Sequence, residues 1–443
     1  MAAVFAAVAL LGSACSSGGS SGTAPAAEAS TAGAENVALY DNSVVHEIAV
    51  TFDQAAYDTM VDAYVATQDK KWIEATITID GVVLERAGMR LKGNSSLRGL
   101  ARAGAGGGPR GGGGAMPDGV TRSEPESLPW LIRFDRYVDG QTYQGRTEVV
   151  IRGNNTQTSL NEAVALELIG LSGAATQKAF STRFTVNGSA PELRLAIESP
   201  NDDWEESTFD SEGILYKAES TGDYSYRGTD PKSYDEVFDQ ESDTDNENLG
   251  PLISFLDFIN NSTDATFASD LGMHLDVAAF ARYLALQDLV GNWDDIDGPG
   301  NNSYLRYDEA AKQFTVLSWD LNLAFSGTAG PGGAGGPGAQ PPGGGLTARQ
   351  APPGAQPPAG GQQARPGGPG GRTNVLVARF QANPTFAAMY NQAKTDLTAQ
   401  LYASGKAGEV LSRWSGVLTA HAGDLVDAAT VEREAANISR MFA

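Results

Sequence analysis

Cysteine is almost absent: Cys15 is the only one in 443 residues, so no intrachain disulfide can form. Histidine is scarce too, and His46, His274 and His421 lie too far apart for any metal-ligand spacing. Cations are outnumbered, with 31 Lys and Arg against 54 Asp and Glu and a formal net charge of -23. That balance excludes nucleic acid or an anionic membrane surface as the main partner, since both demand a basic footprint. Apart from the amino terminus, no apolar run approaches the roughly 20 residues of a membrane-spanning helix. Neither GxGxxG nor GxxxxGK(S/T) occurs between a strand pattern and a helix pattern, so any phosphate binding must use another loop. No internal period marks a repeat protein.

The amino terminus differs in kind. MAAVFAAVALLGSAC reads as a signal h-region ending in a lipobox-like LLGSAC, and SSGGSSGTAPAAEASTAGAE follows as a flexible tether. Cys15 is therefore expected to be a lipidation site, and the protein to be exported, as a cell-surface lipoprotein or secreted. Gly12 stands where a lipobox usually has Leu, and no Lys or Arg occurs before Lys70, which points to a start codon further upstream.

The chain divides into a signal-like segment (1–15), a tether (16–43) and one α+β domain of catalytic type (44–443). VVHEIAVTF alternates as a strand, DQAAYDTMVDAYVA has helical spacing, and KWIEATITIDGVVLERAGMRLKGNSS reads as a hairpin turning at Asp80-Gly81. A Gly/Arg-rich insertion, about 99–127, is expected to be disordered. LPWLIRFDRYV and TEVVIRG resume the strands. SLNEAVALELIGLSG is a helix with Ser159 as N-cap and Glu162 as its capping-box partner. A hairpin around Asn187-Gly188 and the strand GILYKAES follow. The acidic stretch from Asp223 to Asn248 reads as surface loop. Helices are expected around Leu249–Asn260 and Val277–Leu289, then a hairpin of SYLRYD and QFTVLSWD. A second Gly/Pro-rich insertion, 328–372, cannot bury a core, and the remainder is helical.

Chemistry concentrates in GNWDDIDGPGNNSYLRYD and the SWDLNLAFSG that follows. Asp294, Asp295 and Asp297 occupy a Gly/Pro-rich turn closed by Asn301 and Asn302, and a strand pair leads on to Asp320. Carboxylates and amides in such a loop are oxygen ligands for a hard cation such as Mg2+. An EF-hand does not fit, because aligning Gly298 with its sixth position puts Trp293 first and Tyr304 twelfth.

RLKGNSS (Arg90–Ser96), LIRFD (Leu131–Asp135), SLNEAVALEL, TVNGSAPELRLAIES (Thr185–Ser199), GILYK (Gly213–Lys217), NWDDIDGPGNNSYLRYD and WDLNLAFSG form an ordered series. In order and spacing they resemble the CotH-type (spore coat protein H) atypical kinases over residues 44–443, the two insertions excepted. The resemblance implies a kinase-like fold with a helical C-terminal part, binding of ATP and Mg2+ (or Mn2+), and transfer of the γ-phosphoryl group to hydroxyls of surface or secreted proteins. Phosphoryl transfer needs a metal ligand, phosphate-holding cations and a carboxylate base. Asp320 is the natural metal ligand, with Asn302 as the second. Asp294, in the Asn-x-Asp run of the family motif, and Asp297, with Asp-x4-Asn spacing to Asn302, are both candidates for the base. Lys217, Arg90 and Lys92 are candidates to hold phosphates, and Glu198 to pair with one of them. Asn322 stands where many members carry a second metal-binding Asp, and its amide, which can still ligate, makes it a further candidate metal ligand. Leu131 replaces a common Lys, leaving Arg133 as that strand's cation.

A different class remains open: a non-catalytic pseudokinase or calcium-stabilised surface binding module. A carbohydrate-active enzyme with paired carboxylates is a third. Each residue also has a structural reading: Asp320 as a turn cap, the acidic turn as a solvated one, and Lys217 in a surface ion pair.

Overall fold

The computed structural model describes residues 37–97, 99–100, 120–326 and 374–442. Cys15, the signal-like segment, most of the tether and the bulk of both insertions lie outside these residues.

Two hairpins form where the sequence places them. Asp80 and Gly81, at φ 48° and 84°, join β2 (Ile73–Ile79) to β3 (Val82–Leu91). Asn187 and Gly188, at φ 50° and 78°, open the loop 187–191 between β6 (Ala179–Val186) and β7 (Glu192–Ile197). Left-handed conformations at both positions match the right-handed twist of the flanking strands. With β1 (Val45–Phe52), β4 (Trp130–Arg133) and β5 (Glu148–Ile151), these strands close into a barrel of order β1-β2-β3-β4-β5-β7-β6. The closing pair, β1 with β6, is parallel and sets Val45 opposite Ser181. Closure leaves no free edge. Alternate residues of β1 (Ile48, Val50, Phe52) enter a core with Ile77, Met89, Trp130 and Phe184. Helix α1 (Gln54–Thr67), capped by Asp53 accepting from the Ala56 N–H at 2.9 Å, packs Tyr57 against Phe52 and Trp130.

The second layer is a four-stranded sheet, β11-β10-β8-β9. Its strands are β8 (Gly213–Ala218), β9 (Phe238–Gln240), β10 (Ser303–Asp308) and β11 (Gln313–Ser318). Helices α4 (Gly250–Asn261), α6 (Val277–Leu289) and α7 (Val375–Ala382) cover it through Leu252, Phe280 and Phe380. Helix α2 (Leu160–Leu171) sits between the barrel and the C-terminal helices α8 (Pro384–Leu397), α9 (Lys406–His421) and α10 (Ala428–Ser439). The fold is thus mixed α+β. Short helices α3 (Asp202–Thr208) and α5 (Asp264–Asp270) complete it. No helix among the described residues is long and apolar enough to cross a membrane.

Several sequence expectations are corrected. Packing starts before Val44, because Leu39 is buried. The first insertion does not run through residue 127: Arg122 ion-pairs with Asp58 and Asp62 of α1, and the Trp130 indole donates to the Pro125 carbonyl at 2.9 Å. The Asp223–Asn248 stretch is more than surface loop, since Tyr224, Tyr234 and Phe238 are buried and β9 joins the sheet. Its aromatic residues outweigh its charge. Ser159 and Glu162 form no capping box: Ser159 lies at φ 52° without a side-chain cap bond, and the Glu162 carboxylate turns to Arg152 instead.

Candidate functional site

Strand register gathers the acidic residues. In β10–β11, Ser303 faces Ser318, and in β10–β8, Tyr304 faces Lys217. Asn301 and Asn302 therefore enter the sheet at the end where Asp320 leaves it, beside Lys217 and Glu219. Barrel register does the same for cations. Leu91 faces Trp130, and Trp130 faces Ile151, so Lys92 and Arg152 emerge at one barrel end. The two ends meet at Trp319, whose ring lies 5.6 Å from Lys92 Nζ and 5.7 Å from the Arg152 guanidinium carbon.

A buried amide chain anchors the acidic turn. The Gln287 amide donates to Ser318 Oγ at 2.7 Å, and the Asn292 amide donates to Gln287 Oε1 at 2.8 Å. The turn then folds on itself. Asp294 Oδ1 accepts from the Gly300 N–H at 2.5 Å, and Asp294 Oδ2 accepts from the Asn302 amide at 3.0 Å. That bond takes the Asn302 nitrogen and directs the amide oxygen away from Asp294. Asn301, at φ 54°, donates to the Glu219 carbonyl at 3.1 Å and ties the turn to β8. Glycine is required by close approach: a Cβ at Gly298 would stand 2.5 Å from Asp294 Cα, and one at Gly300 2.5 Å from Asp294 Oδ2. Gly300→Ala is expected to part Asp294 from Asn302 and lower any activity of the site about 10²-fold, the usual effect of an ångström-scale misplacement. A kcat loss with an unchanged melting temperature checks this.

Asp297 is placed differently from Asp294. Its N–H donates to Asp295 Oδ1 at 3.4 Å. Burial, then the neighbouring Asp297 carboxylate, pushes the Asp295 carboxyl well above the usual range. This pair braces the turn against Tyr283, whose hydroxyl accepts from the Ile296 N–H at 3.3 Å.

Asp320 sits at φ 56°, a left-handed conformation that non-glycine residues seldom adopt and that concentrates at functional sites. Its Oδ1 accepts from Arg152, which also donates to Glu162 Oε2 at 2.9 Å. Arg152 and Glu162 are buried. Burial pushes the Glu162 carboxyl up, and Arg152 opposes that shift without cancelling it. The backbone of Asn322 is held by α2, its carbonyl accepting from the Asn161 amide at 2.5 Å.

The cations form a cluster. Arg90 stacks over Trp72 at 5.0 Å. Burial, with help from Lys217 and Arg90, lowers the Lys92 pKa against Glu241 and Glu148. Lys217 is ion-paired with Glu219, and that carboxylate with Glu241 outweighs burial, so its pKa rises. Lys70 joins them, pushed down to about 8 by burial and then by Lys217. Facing carboxylates include Glu148, raised by burial, and Asp239, pushed up to about 6 by burial and by Glu219. The Tyr304 hydroxyl is buried among them with no hydrogen-bond partner among the described residues.

Of the sequence candidates, Arg90, Lys92 and Lys217 share this cation cluster, while Asp294 with Asn302, and Asp320 with Arg152, lie at the sheet end beside it. Two do not serve as expected. Glu198 pairs with Arg146 at 3.0 Å and accepts from the Lys178 N–H at 2.8 Å, not from a cation of that cluster. Arg133 is held by Asp135 at 2.7 Å, on a half-exposed site. Sequence reading missed Arg152, Lys70, Glu148 and the true partner of Glu162. A charge inside the otherwise apolar strand exit VVIRG was the available signal for Arg152.

The residues fit a divalent cation and a polyphosphate in donor type: Asp320 and Asn302 offer oxygen, and Lys70, Arg90, Lys92 and Lys217 offer positive charge. Among the described residues no group of three or more His, Cys, Asp or Glu has ligating geometry. No curated protein matches the chain. A family model described as CotH kinase protein matches residues 90–422, most of the 443-residue chain. The chain belongs to the CotH kinase protein family.

Proposed function

We propose that this protein is an exported, ATP- and metal-dependent protein kinase with a kinase-like fold, transferring the γ-phosphoryl group of ATP to Ser or Thr hydroxyls of surface or secreted proteins. The observation that carries this reading is the convergence of Asp320 and the Asp294–Asn302 pair, at one sheet end, with Lys92 and Arg152 at the facing barrel end. Export, and lipidation at Cys15, rest on the sequence of the amino terminus.

A bound Mg2+ or Mn2+ supplies neutralisation of phosphate charge, and Asp320 and Asn302 are the residues that would hold it. Asn322 has a side chain able to add an amide oxygen. Lys92 and Lys217, with Lys70 and Arg90 behind them, bind the phosphates. Asp294 takes the proton of the acceptor hydroxyl as its oxygen bonds to phosphorus and the ADP oxygen departs. Asp294 is preferred to Asp297 as base because it is bonded to Asn302, whereas Asp297 is engaged with Asp295. Arg152 holds Asp320 in place from the barrel side, and Glu162 holds Arg152.

Lys70 provides a binding test. With its pKa lowered to about 8, it is expected to react with an amine-selective acylating reagent near neutral pH faster than an ordinary lysine. ATP with Mg2+ should protect it. Mass spectrometry reads both effects; equal labelling with and without nucleotide contradicts phosphate binding at this cation cluster.

A further inference from the structure

Helix α6 ends in a Schellman motif. The Asn292 N–H donates to the Gln287 carbonyl at 2.9 Å and the Gly291 N–H to the Asp288 carbonyl at 3.3 Å, with Gly291 at φ 60°. That reversal lays Asn292 back over Gln287, where its side-chain amide donates to Gln287 Oε1 at 2.8 Å. Gln287 Nε2 in turn donates to Ser318 Oγ at 2.7 Å. Gln287, Asn292 and Ser318 are all buried, Gln287 at 2% exposure, so bulk water does not replace either bond.

These bonds close a ring through the site. Ser318 pairs with Ser303 across β11 and β10. Asn302, one residue before Ser303, donates to Asp294 at 3.0 Å, and Asp294 is two residues past Asn292. From Asn292 the ring returns through Gln287 to Ser318, two residues before Asp320. The ladder holds Asn302 against the strand that carries Asp320, but the start of the acidic turn lies outside the ladder. Gln287 ties that start to the same strand.

Two residues of chain span at most about 7 Å, so a shift of Asn292 or Ser318 passes to the carboxylate beyond it. A primary amide suits this post, because it donates from one atom and accepts at the other. We propose that Gln287 is a positioning residue, which sets the base Asp294 against the metal ligand Asp320 and acts through Asn292 and Ser318. This role rests on the kinase reading, whereas the ring of bonds does not.

The test compares the full-length wild type with Gln287→Met and with Gln287→Met combined with Ser318→Ala. Methionine keeps the length of the side chain and loses both bonds. Gln287→Met is expected to lower the kcat of metal-dependent phosphoryl transfer about 10²-fold, the usual effect of an ångström-scale misplacement. The KM for ATP should change by less than about twofold, because Lys92 and Lys217 stand outside the ring. Adding Ser318→Ala removes the unpaired buried hydroxyl and should return part of the lost melting temperature. The kcat should stay low, since Asn292 is still released. Activity that recovers with the melting temperature, or a wild-type kcat per folded molecule in Gln287→Met, overturns the positioning role. Hydrogen exchange reads the ring without nucleotide or metal. In Gln287→Met, peptides covering 292–302 and 318–323 should lose protection together while β6 and β7 keep theirs; unchanged exchange in both peptides overturns the ring. A folded wild type that transfers no phosphate defeats the kinase reading, and the exchange result then decides by itself whether Gln287 ties the two turns. An active wild type with unchanged exchange and kcat in Gln287→Met leaves the kinase reading standing and defeats the positioning role.

Discussion

Asp320→Ala is expected to lower metal-dependent phosphoryl transfer by about 10³-fold or more, in the range found when one preorganised electrostatic contact to the transition state is removed. The fold should survive, because the Asp320 side chain is 26% exposed and Arg152 keeps its buried partner Glu162. Alanine at a left-handed position costs about 1–2 kcal/mol by itself. Asp320→Asn separates that strain from the chemistry, since asparagine tolerates the conformation and still offers an oxygen. Its activity should fall between those of the wild type and Asp320→Ala, with a higher optimal Mg2+ concentration. Label transfer against metal concentration checks both variants. Equal activity of Asp320→Ala and the wild type would assign Asp320 to the structural ion pair with Arg152 alone.

Arg152→Met is expected to destabilise the protein by about 3–5 kcal/mol, because it leaves the Glu162 carboxylate buried without its counter-charge. The sign of the pH dependence follows from Glu162. Its folded pKa is raised above the unfolded value, burial being the largest cause. Between those two pKa values the folded state binds more protons than the unfolded one, so this group's contribution falls as pH rises. Removing Arg152 raises the folded value further and widens the window. The deficit relative to the wild type should therefore shrink as pH drops toward the ordinary glutamate range. Adding Glu162→Gln should recover much of the loss at neutral pH. Urea midpoints for the single and double variants across pH measure this. A deficit independent of pH would mean that lost packing, not the buried charge, dominates.

Local features were legible in the sequence. Asp80-Gly81 and Asn187-Gly188 announced their hairpins because positive φ restricts the choice of residue. The turn from Asp294 to Asn302 stood out because carboxylates and amides cluster there within a short span, and Asp320 follows it after one strand pair. Long-range pairings were not legible. The barrel closes through β1 and β6, and nothing in either strand's alternation names its partner. Arg152 and Asp320 are 168 residues apart, so their bond exists only in three dimensions. That distance also explains the Glu162 error: Ser-x-x-Glu reads as a capping box locally, while the buried Arg152 is the stronger claimant on its carboxylate. Glu198 failed for a similar reason, since the end of β7 delivers it to Arg146. Lys70 escaped notice because a lysine in a polar loop carries no sequence signal; only the convergence of Lys92, Lys217 and Arg90 singles it out.

The central claim is that Asp320, Asn302 and Asp294, facing the barrel's cations, transfer the γ-phosphoryl of ATP. Its most direct test is incubation of the purified full chain with γ-labelled ATP and Mg2+ or Mn2+, with mass spectrometry of the protein and quantitation of ADP. Metal-dependent phosphate on Ser or Thr, of the chain itself or of an added acceptor protein, is expected, and is lost in Asp294→Ala. Metal-independent labelling, or neither protein phosphorylation nor ADP release above the Asp294→Ala background with either metal, would contradict it.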